Sequence, residues 1–268
     1  MIGAAKVGRA GGGAAAASAF AVLIGALTGA STVRAQPGAP QSSLRDMLFG
    51  AHPRDDRSMS LPLVAHYRGE MGAGFVFERP LAGPALLKFE DSPEVWVLRP
   101  TAAAHGDVIY RDDVGQPMLR ASRVGGLTLF TDARPDGMAA WMAGAAPLLR
   151  PMSAPGPAQL FQIMVQASAR ATRAALHQVA FEAPDVTPDS APVFADAALL
   201  TAEAFVEVAG RGRRPRAGLT RYTRVLFTAG RAPQAVTKGA EVRIIVVPGD
   251  GVAGRPSSHR IALVIAGR

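Results

Sequence analysis

The sequence predicts an α+β protein in which a mainly antiparallel β-sheet packs against an Ala-rich antiparallel helical hairpin. Three observations support this fold class. In residues 61–132, short runs rich in Val, Leu, Phe, Tyr and Trp are separated by Gly, Pro or Asp, a pattern typical of an antiparallel β-meander. In residues 157–209 the apolar period changes from two towards 3.6, which indicates helices. Two further runs with strand character, residues 221–228 and 241–247, follow the helices.

Seven candidate strands make up the meander, and two of the turns between them can be identified. Residues 112–115, Asp-Asp-Val-Gly, can close a hairpin between the fifth and sixth strands. Pro93 separates the third strand from the fourth through its fixed φ. The fourth strand is apolar without alternation, so we expect both of its faces to be covered. The strands are predicted at residues 63–68, 74–79, 85–90, 94–99, 107–111, 117–122 and 127–131.

A Gly/Pro-rich connection, residues 133–156, leads from the meander to two helices, and the sequence leaves open whether it holds a short helix or a loop. The first helix is predicted to begin at Pro157, because proline is tolerated at the first helical position. The second is predicted at residues 191–209. Prolines leave only a short link between the helices, which favours an antiparallel hairpin. The apolar face of the first helix would consist of Leu160, Met164, Ala167, Ala171, Ala174 and Phe181.

The last part of the chain is expected to form one domain with the meander, so that residues 157–268 complete the fold. An Arg-rich stretch at residues 210–218 is expected to be an exposed loop. Residues 256–266 are compatible with a helix or a strand. The helix is favoured, because Ser257 or Ser258 could cap its first turn.

Residues 1–35 have the features of an export signal. Lys6 and Arg9 give a positive start, an apolar stretch follows at residues 14–30, and Ala35 is the small residue that a signal peptidase requires. We expect cleavage after Ala35 and a periplasmic or secreted protein. The alternative is an uncleaved membrane anchor, since the apolar stretch approaches the ~20 residues that span a bilayer.

Composition excludes several classes of protein and of site. Loss of the leader removes three cations and no acid, so the formal net charge falls from +8 to +5. This mild charge and an aromatic content of 6% do not predict a nucleic-acid interface. The chain has no cysteine, which excludes disulfides, thiolate metal sites and a lipid anchor on cysteine. We interpret residues 36–60, which are rich in Pro, Ser and Asp, as a flexible tether.

The short motifs that accompany catalysis are missing from the sequence. All five histidines are isolated, so neither a metal site nor another cofactor is expected. No Gly-x-Ser-x-Gly or Ser-x-x-Lys motif occurs. Ser257, Ser258 and His259 are adjacent, but adjacent side chains point in different directions, so we interpret one serine as a helix cap. We interpret the acid pair Asp112 and Asp113 as turn residues.

Four sequence runs carry a resemblance to a known family. They are FEDSPEVW at residues 89–96, GDVIYRDD at 106–113, GGLTLFT at 125–131 and GRPSS at 254–258. These runs resemble an uncharacterised family of exported bacterial proteins that is classified only as a domain of unknown function. The resemblance covers most of the chain after the leader. It implies an envelope protein of alphaproteobacterial type, and it supplies neither catalytic residues nor a ligand.

We therefore expect a non-enzymatic binding or envelope-associated module in the periplasm, with a hydrolase assembled from distant residues as the alternative. A deep cleft in which two acids, or a Ser and a His, converge would favour the hydrolase, and a hydrophobic groove would favour the binding module. The partner could be an envelope protein or an anionic envelope component, and the membrane itself only if the leader is retained. No catalytic, cofactor-binding or metal-binding residue is assigned. The expected contact surface consists of Asp112, Arg120 and Arg123, and secondarily of Arg213 and Arg214.

Overall fold

Eight antiparallel strands close into a barrel in the first part of the computed structural model, which describes residues 62–80, 83–149 and 154–267. The strands are β1 (Val64–Gly69), β2 (Gly74–Glu78), β3 (Ala85–Phe89), β4 (Val95–Ala102), β5 (Val108–Arg111), β6 (Pro117–Ala121), β7 (Leu127–Thr131) and β8 (Arg134–Ala145). Each strand pairs with the next one, and β8 pairs back with β1. Closure therefore leaves the barrel without a free sheet edge.

Large apolar side chains fill the barrel interior. In β2, Phe75 and Phe77 are fully buried, whereas Val76 between them points to the other face and is half-buried. Tyr67 stacks on Phe75 with ring centroids 5.5 Å apart, and Phe77 meets Tyr110 edge to face at 4.9 Å. The interior of an eight-stranded barrel is just wide enough to be filled by side chains. The barrel therefore has a packed hydrophobic core of its own.

All seven strands predicted within residues 61–132 are present, and the predicted turn at residues 112–115 joins β5 to β6. The α+β class is also confirmed, with a different arrangement of the strands. We expected the meander to form a sheet packed on a helical hairpin. That expectation is wrong, because an eighth strand closes the sheet into a barrel.

Strand β8 lies in the stretch that we expected to be a connection with a short helix or a loop. Most of its side chains are exposed, including Trp141 and Met142, so no apolar alternation marks it in the sequence. Backbone pairing with β7 on one side and β1 on the other forms this strand. Gly137 has φ +87 and passes so close to Phe130 that an added Cβ would lie 2.9 Å from the ring. The glycine that suggested a loop is therefore required by the strand.

A second sheet, four α-helices and one 3-10 helix (Pro248–Gly254) make up most of the rest of the described chain. The strands are β9 (Ala180–Glu182), β10 (Arg224–Ala229), β11 (Gln234–Lys238) and β12 (Glu241–Val246), and the helices are α1 (Pro157–Ala175), α2 (Ala191–Gly210), α3 (Arg213–Leu219) and α4 (Ser258–Ile265). The strand order is β11-β12-β10-β9, with β11 antiparallel to β12 and the other pairs parallel. Sheet and helices enclose a second hydrophobic core. The barrel and the second sheet belong to one compact unit.

The two long helices, α1 and α2, lie side by side and run in the same direction, so the expected antiparallel hairpin is wrong. Leu160 packs with Ala191 and Ala195 near the starts of the helices. Further along, Arg170 forms an ion pair with Glu203, with an N···O distance of 2.7 Å. The difference in residue number between the partners is similar at both places, so the two helices are parallel. The chain returns from the end of α1 to the start of α2 through β9, a strand that the proline-based prediction of a short link did not include.

Three smaller expectations have different outcomes. The Arg-rich stretch is exposed as expected, but it contains α3, so the loop assignment is wrong. The helix favoured for residues 256–266 is confirmed as α4, and its N-cap is Ser257, whose side chain accepts a hydrogen bond from the Arg260 N–H. Phe181 lies in β9 and not on the first helix, because α1 ends before it with Leu176 in a left-handed conformation.

The predicted leader, residues 1–35, and the predicted tether, residues 36–60, lie outside the described residues. Both segments therefore stay predictions from the sequence. Among the helices that the structure describes, none combines the length and the apolar character needed to cross a membrane.

Removing a ring from the barrel interior should destabilise the protein strongly. Phe77 is fully buried, so Phe77→Ala should lower the free energy of unfolding by about 3 to 5 kcal/mol, through lost burial and the cavity left behind. Val124→Ala is the matched control, because Val124 is 90% exposed in the turn between β6 and β7, and it should change this free energy by less than about 0.5 kcal/mol. Urea denaturation measures both variants. Equal effects would contradict a filled barrel.

Candidate functional site

The start of α4 meets two turns of the barrel in a cluster of charged and hydroxyl side chains. The barrel supplies acids from the residues before β4 and from the β5–β6 turn, and α2 supplies one more acid. Hydrogen-bonded partners in this cluster are up to 164 residues apart in the sequence. We call the cluster the polar junction, and it consists of Glu94, Asp112, Asp113, Asp196, Arg255, Ser257, Ser258, His259 and Arg260.

Two consecutive serines are each held by one carboxylate of the barrel. Ser257 donates its N–H and its Oγ–H to Asp113, at 3.1 and 2.5 Å. Ser258 donates its N–H and its Oγ–H to Glu94, at 3.1 and 2.5 Å. The first N–H groups of a helix have no partner within the helix, and negative charge is favourable there. The two acids therefore supply partners for N–H groups at the start of α4 and fix it to the barrel.

Ser257, Asp113 and Arg260 form a closed set of hydrogen bonds. The Ser257 hydroxyl donates to Asp113 and accepts the N–H of Arg260 at 3.0 Å, as the N-cap of the helix. Arg260 in turn donates its Nε–H to Asp113 at 2.8 Å and a second N–H to the Asp113 carbonyl oxygen. The hydroxyl is used both as donor and as acceptor. Its partners among the described residues are Asp113 and Arg260, and no histidine is one of them.

Arg255 carries a buried positive charge that joins α2 to the barrel. Its side chain is 1% exposed. The Nε–H donates to Asp196 at 2.5 Å and an Nη2–H to the Val95 carbonyl oxygen at 2.8 Å, while Nη1 lies 3.9 Å from a Glu94 oxygen. A buried charge is tolerated only when partners satisfy it. Loss of any one of these contacts would leave an unpaired group inside the protein.

Glu94 is the buried acid of the polar junction. Burial raises the pKa of its carboxyl to about 7, and the positive charge of Arg255 and the hydrogen bonds from Ser258 offset this effect only in part. Arg255 donates directly to Asp196, so these two side chains form an ion pair and carry no net charge together with a protonated Glu94. The neutral carboxyl keeps its partner, because the Ser258 hydroxyl can accept a hydrogen bond as well as donate one.

Asp112 binds the hairpin turn and His259 at the same time. Its Oδ1 accepts the N–H groups of Val114 and Gln116, at 3.0 and 2.7 Å, as expected for a turn residue. Its Oδ2 lies 3.1 Å from Nδ1 of His259. This hydrogen bond raises the pKa of His259, and burial opposes the rise. An Asp–His pair occurs in many hydrolytic sites. The hydrogen bonds of the described residues include none between His259 and a serine.

A cleft of about 800 Å³ opens beside the polar junction, between the barrel and the second sheet. Ser257 lies in its wall, and no histidine of the described residues lines it. Its charged lining is mixed in sign, with Arg99, Asp113, Asp250, Arg255 and Arg260. The described residues contain no group of three or more side chains that could hold a metal ion. Among the described residues the cleft therefore does not bring a serine and a histidine together. Two acids, Asp113 and Asp250, lie in its wall, and Asp113 is already bound by Ser257 and Arg260.

The contact surface expected from the sequence is divided between separate places. Asp112 lies in the polar junction. Arg120 and Arg123 lie at the other end of the β5–β6 hairpin, where both bind Asp107, through Arg120 Nε at 2.8 Å and the Arg123 N–H at 3.1 Å. The hydrogen bonds from Arg120 and Arg123 lower the pKa of Asp107. Asp112 and the two arginines therefore do not form one surface.

Arg213 and Arg214 are exposed on α3. Arg216 of the same helix lines a small pocket of about 320 Å³ together with Arg170 and Arg173 of α1. The Arg-rich stretch thus contributes to a positive surface near the end of α1.

Sequence analysis missed Glu94, Asp113 and Arg255 as site residues. The signal was present in the runs that carry the family resemblance, because Glu94 lies in FEDSPEVW, Asp113 ends GDVIYRDD, and Arg255 lies in GRPSS. The structure brings these three runs together at the polar junction. Local sequence gives no indication that they meet, since their contacts depend on the path of the whole chain.

An apolar groove of about 880 Å³ lies between α1 and β9. None of the described residues that line it is charged. Helix α1 contributes Leu160, Phe161, Met164 and Val165 to its wall, and β9 contributes Phe181. Phe161 is 64% exposed and Val165 is 46% exposed. Large apolar side chains that are exposed next to each other mark interaction sites. The groove is therefore a second candidate site.

Replacement of Glu94 should change how stability depends on pH. The folded state keeps a proton on Glu94 up to about pH 7, whereas the unfolded chain loses this proton near pH 4.5. The stabilisation that the folded state gains from binding this proton is therefore complete below pH 4.5. It is lost as the pH rises to 7. Relative to Glu94→Gln, the free energy of unfolding of the natural protein should fall by roughly 3 kcal/mol at most between pH 4.5 and 7.5. Urea denaturation at both pH values measures this difference. Parallel pH profiles would contradict the raised pKa.

Comparison with known proteins identifies the family of the chain. A family model described as a domain of unknown function, DUF4908, matches residues 43–265. No curated protein and no solved structure matches the sequence. The matched residues make up most of the 268-residue chain and include the barrel, the polar junction and the groove. The chain therefore belongs to the DUF4908 family.

Proposed function

We propose that the protein is an exported, non-enzymatic binding module of the cell envelope, and that the groove between α1 and β9 holds its ligand. One observation carries this proposal: the groove is large, its described lining is mostly apolar and carries no charge, and it exposes Phe161 and Val165. Its volume of about 880 Å³ lies within the range of roughly 300–1,000 Å³ that is usual for ligand sites. The polar side chains of the junction, in contrast, are paired with one another.

The envelope location rests on the leader and on the charge of the surface. Residues 1–35 combine a positive start, an apolar stretch and a small residue at the expected cleavage position. The exposed arginines of α3 and their neighbours on α1 would suit contact with an anionic envelope component. An envelope protein is the other candidate partner.

A periplasmic hydrolase is the second candidate function. The hydrogen bond between Asp112 and His259 is the observation that favours it, because an aspartate can orient a histidine for use as a base. Such a base needs a hydroxyl or a water to activate. Ser257 and Ser258 are the nearest serines in the sequence, and both donate to carboxylates. The binding module therefore explains more of the observed geometry.

A charge placed in the groove should prevent binding of an apolar ligand. Nile red, a neutral apolar dye, should bind to the purified protein and fluoresce, and Val165→Asp should weaken this binding at least about tenfold, because a buried charge without a partner is costly. Val236→Asp is the matched control, since Val236 is 41% exposed on β11, at the opposite edge of the sheet. It should change the affinity less than about twofold. Equal weakening by both substitutions would exclude the groove as the ligand site.

Export should leave a shortened chain. Fractionation of the native host and sequencing of the mature N-terminus should find a chain that starts at Gln36 in the periplasmic or secreted fraction. A chain that begins at Met1 in the membrane fraction would favour the anchored alternative. A full-length chain in the cytosol would contradict the envelope function.

A further inference from the structure

The strand that lines the groove is the outermost strand of its sheet. Among the described strands the order is β11-β12-β10-β9, so β9 has a partner strand on one side only. Ala180 donates its N–H to Thr223 at 2.9 Å, on the side of β10. Successive residues of a strand direct their N–H and C=O groups to opposite sides, so those of Phe181 are directed away from β10. The free edge of the sheet at Phe181 therefore faces outward, next to α1.

Helix α1 covers the beginning of this edge and leaves the rest open. Val179 donates its N–H to Thr172 Oγ1 at 3.1 Å and accepts the Ser168 hydroxyl at 2.7 Å, so both of its outward groups have partners on α1. The hydrogen bonds of the described residues include none to the outward N–H or C=O of Phe181. Since Phe181 lines the groove, one backbone donor and one backbone acceptor at its wall have no partner within the described part of the chain.

The other wall of the groove determines which chemistry fits beside this edge. Strand β9 runs back along α1, so the open edge faces the first half of that helix, where Phe161, Met164 and Val165 line the groove. No charged side chain lies in the described lining, so a charged ligand group buried there would have no partner. The groove is thus complementary to an uncharged occupant that has both apolar side chains and backbone hydrogen-bonding groups.

We propose that the groove binds an extended, apolar polypeptide segment, which adds to β9 as a further strand. Its backbone pairs with the N–H and C=O of Phe181, and its alternate side chains pack against Phe161 and Val165 of α1. Strand addition of this kind takes affinity from the backbone and specificity from alternate side chains. An acyl chain or a small apolar molecule would fill the groove and leave both groups of Phe181 unpaired. This inference rests on the proposed function, since it specifies the ligand of the same groove.

The first step of the test is the selection of a peptide. A phage library of random 12-residue peptides is selected against the purified full chain and counter-selected against Val165→Asp. We expect enrichment of uncharged sequences with alternating apolar residues. A synthetic copy of the selected peptide should bind the natural protein at least tenfold more tightly than Val165→Asp, and Val236→Asp should bind it within twofold of the natural protein. No enrichment over the counter-selection would overturn the proposal.

The second step tests backbone pairing directly. In hydrogen exchange measured by NMR, the peptide should slow the amide of Phe181 at least tenfold, whereas the amide of Val179, already bonded to Thr172, should change less than twofold. The same peptide with N-methyl groups on alternate residues keeps every side chain and loses the N–H groups on one edge. Two such peptides are made, one methylated at the odd-numbered residues and one at the even-numbered residues. One of the two should bind at least tenfold more weakly than the unmethylated peptide. Equal binding of both forms, or an unprotected Phe181 amide, would overturn strand addition.

The two proposals can fail separately. If Nile red binds in the groove and the selected peptide does not protect Phe181, the groove is a ligand site and the polypeptide is the wrong ligand. If neither binds, the proposed function fails as well. If the Phe181 amide is protected without any peptide, and this protection rises with protein concentration, the occupant is a second copy of the chain. That result would also overturn the peptide proposal.

Discussion

The attachment of the start of α4 to the barrel is the interaction on which the arrangement of the described chain depends. The described chain has two large hydrophobic cores, one inside the barrel and one between the second sheet and its helices, and they share no buried residue. Apolar burial within each core therefore does not fix one part to the other. Glu94 and Asp113 do so, because each carboxylate binds both the N–H and the hydroxyl of one serine at the helix start.

The side chains of the polar junction already bind one another, and for this reason we place ligand binding elsewhere. Arg255 is buried and satisfied by Asp196, Val95 and the nearby Glu94. A ligand that displaced one of these partners would leave another charge buried and unpaired. The free-energy cost of that charge would exceed the free energy gained from a new surface contact. The groove differs, because its exposed apolar side chains and the outward backbone groups of Phe181 are the ones that gain partners on binding.

Much of the fold could be predicted from the sequence, and the errors have physical causes. The seven strands of the meander are marked by alternation and by turn residues, and α4 is marked by its serine cap. Strand β8 carries no such mark, because pairing with both neighbours forms it while most of its side chains stay exposed. The direction of α2 relative to α1 depends on β9, which is three residues long. The polar junction required Glu94, Asp113 and Arg255 to meet, and contacts across the whole chain decide that.

The short exposed edge of β9 determines which ligands the groove can select. A free edge can pair with any extended chain, and proteins usually close, shorten or cover their edges. The barrel closes on itself, and α1 covers the backbone of Val179, directly before β9, through Ser168 and Thr172. The open part at Phe181 is short, so backbone pairing alone gives little affinity for an arbitrary chain. Affinity must then come from contact with Phe161 and Val165 on α1, and this requirement makes the site selective for apolar segments.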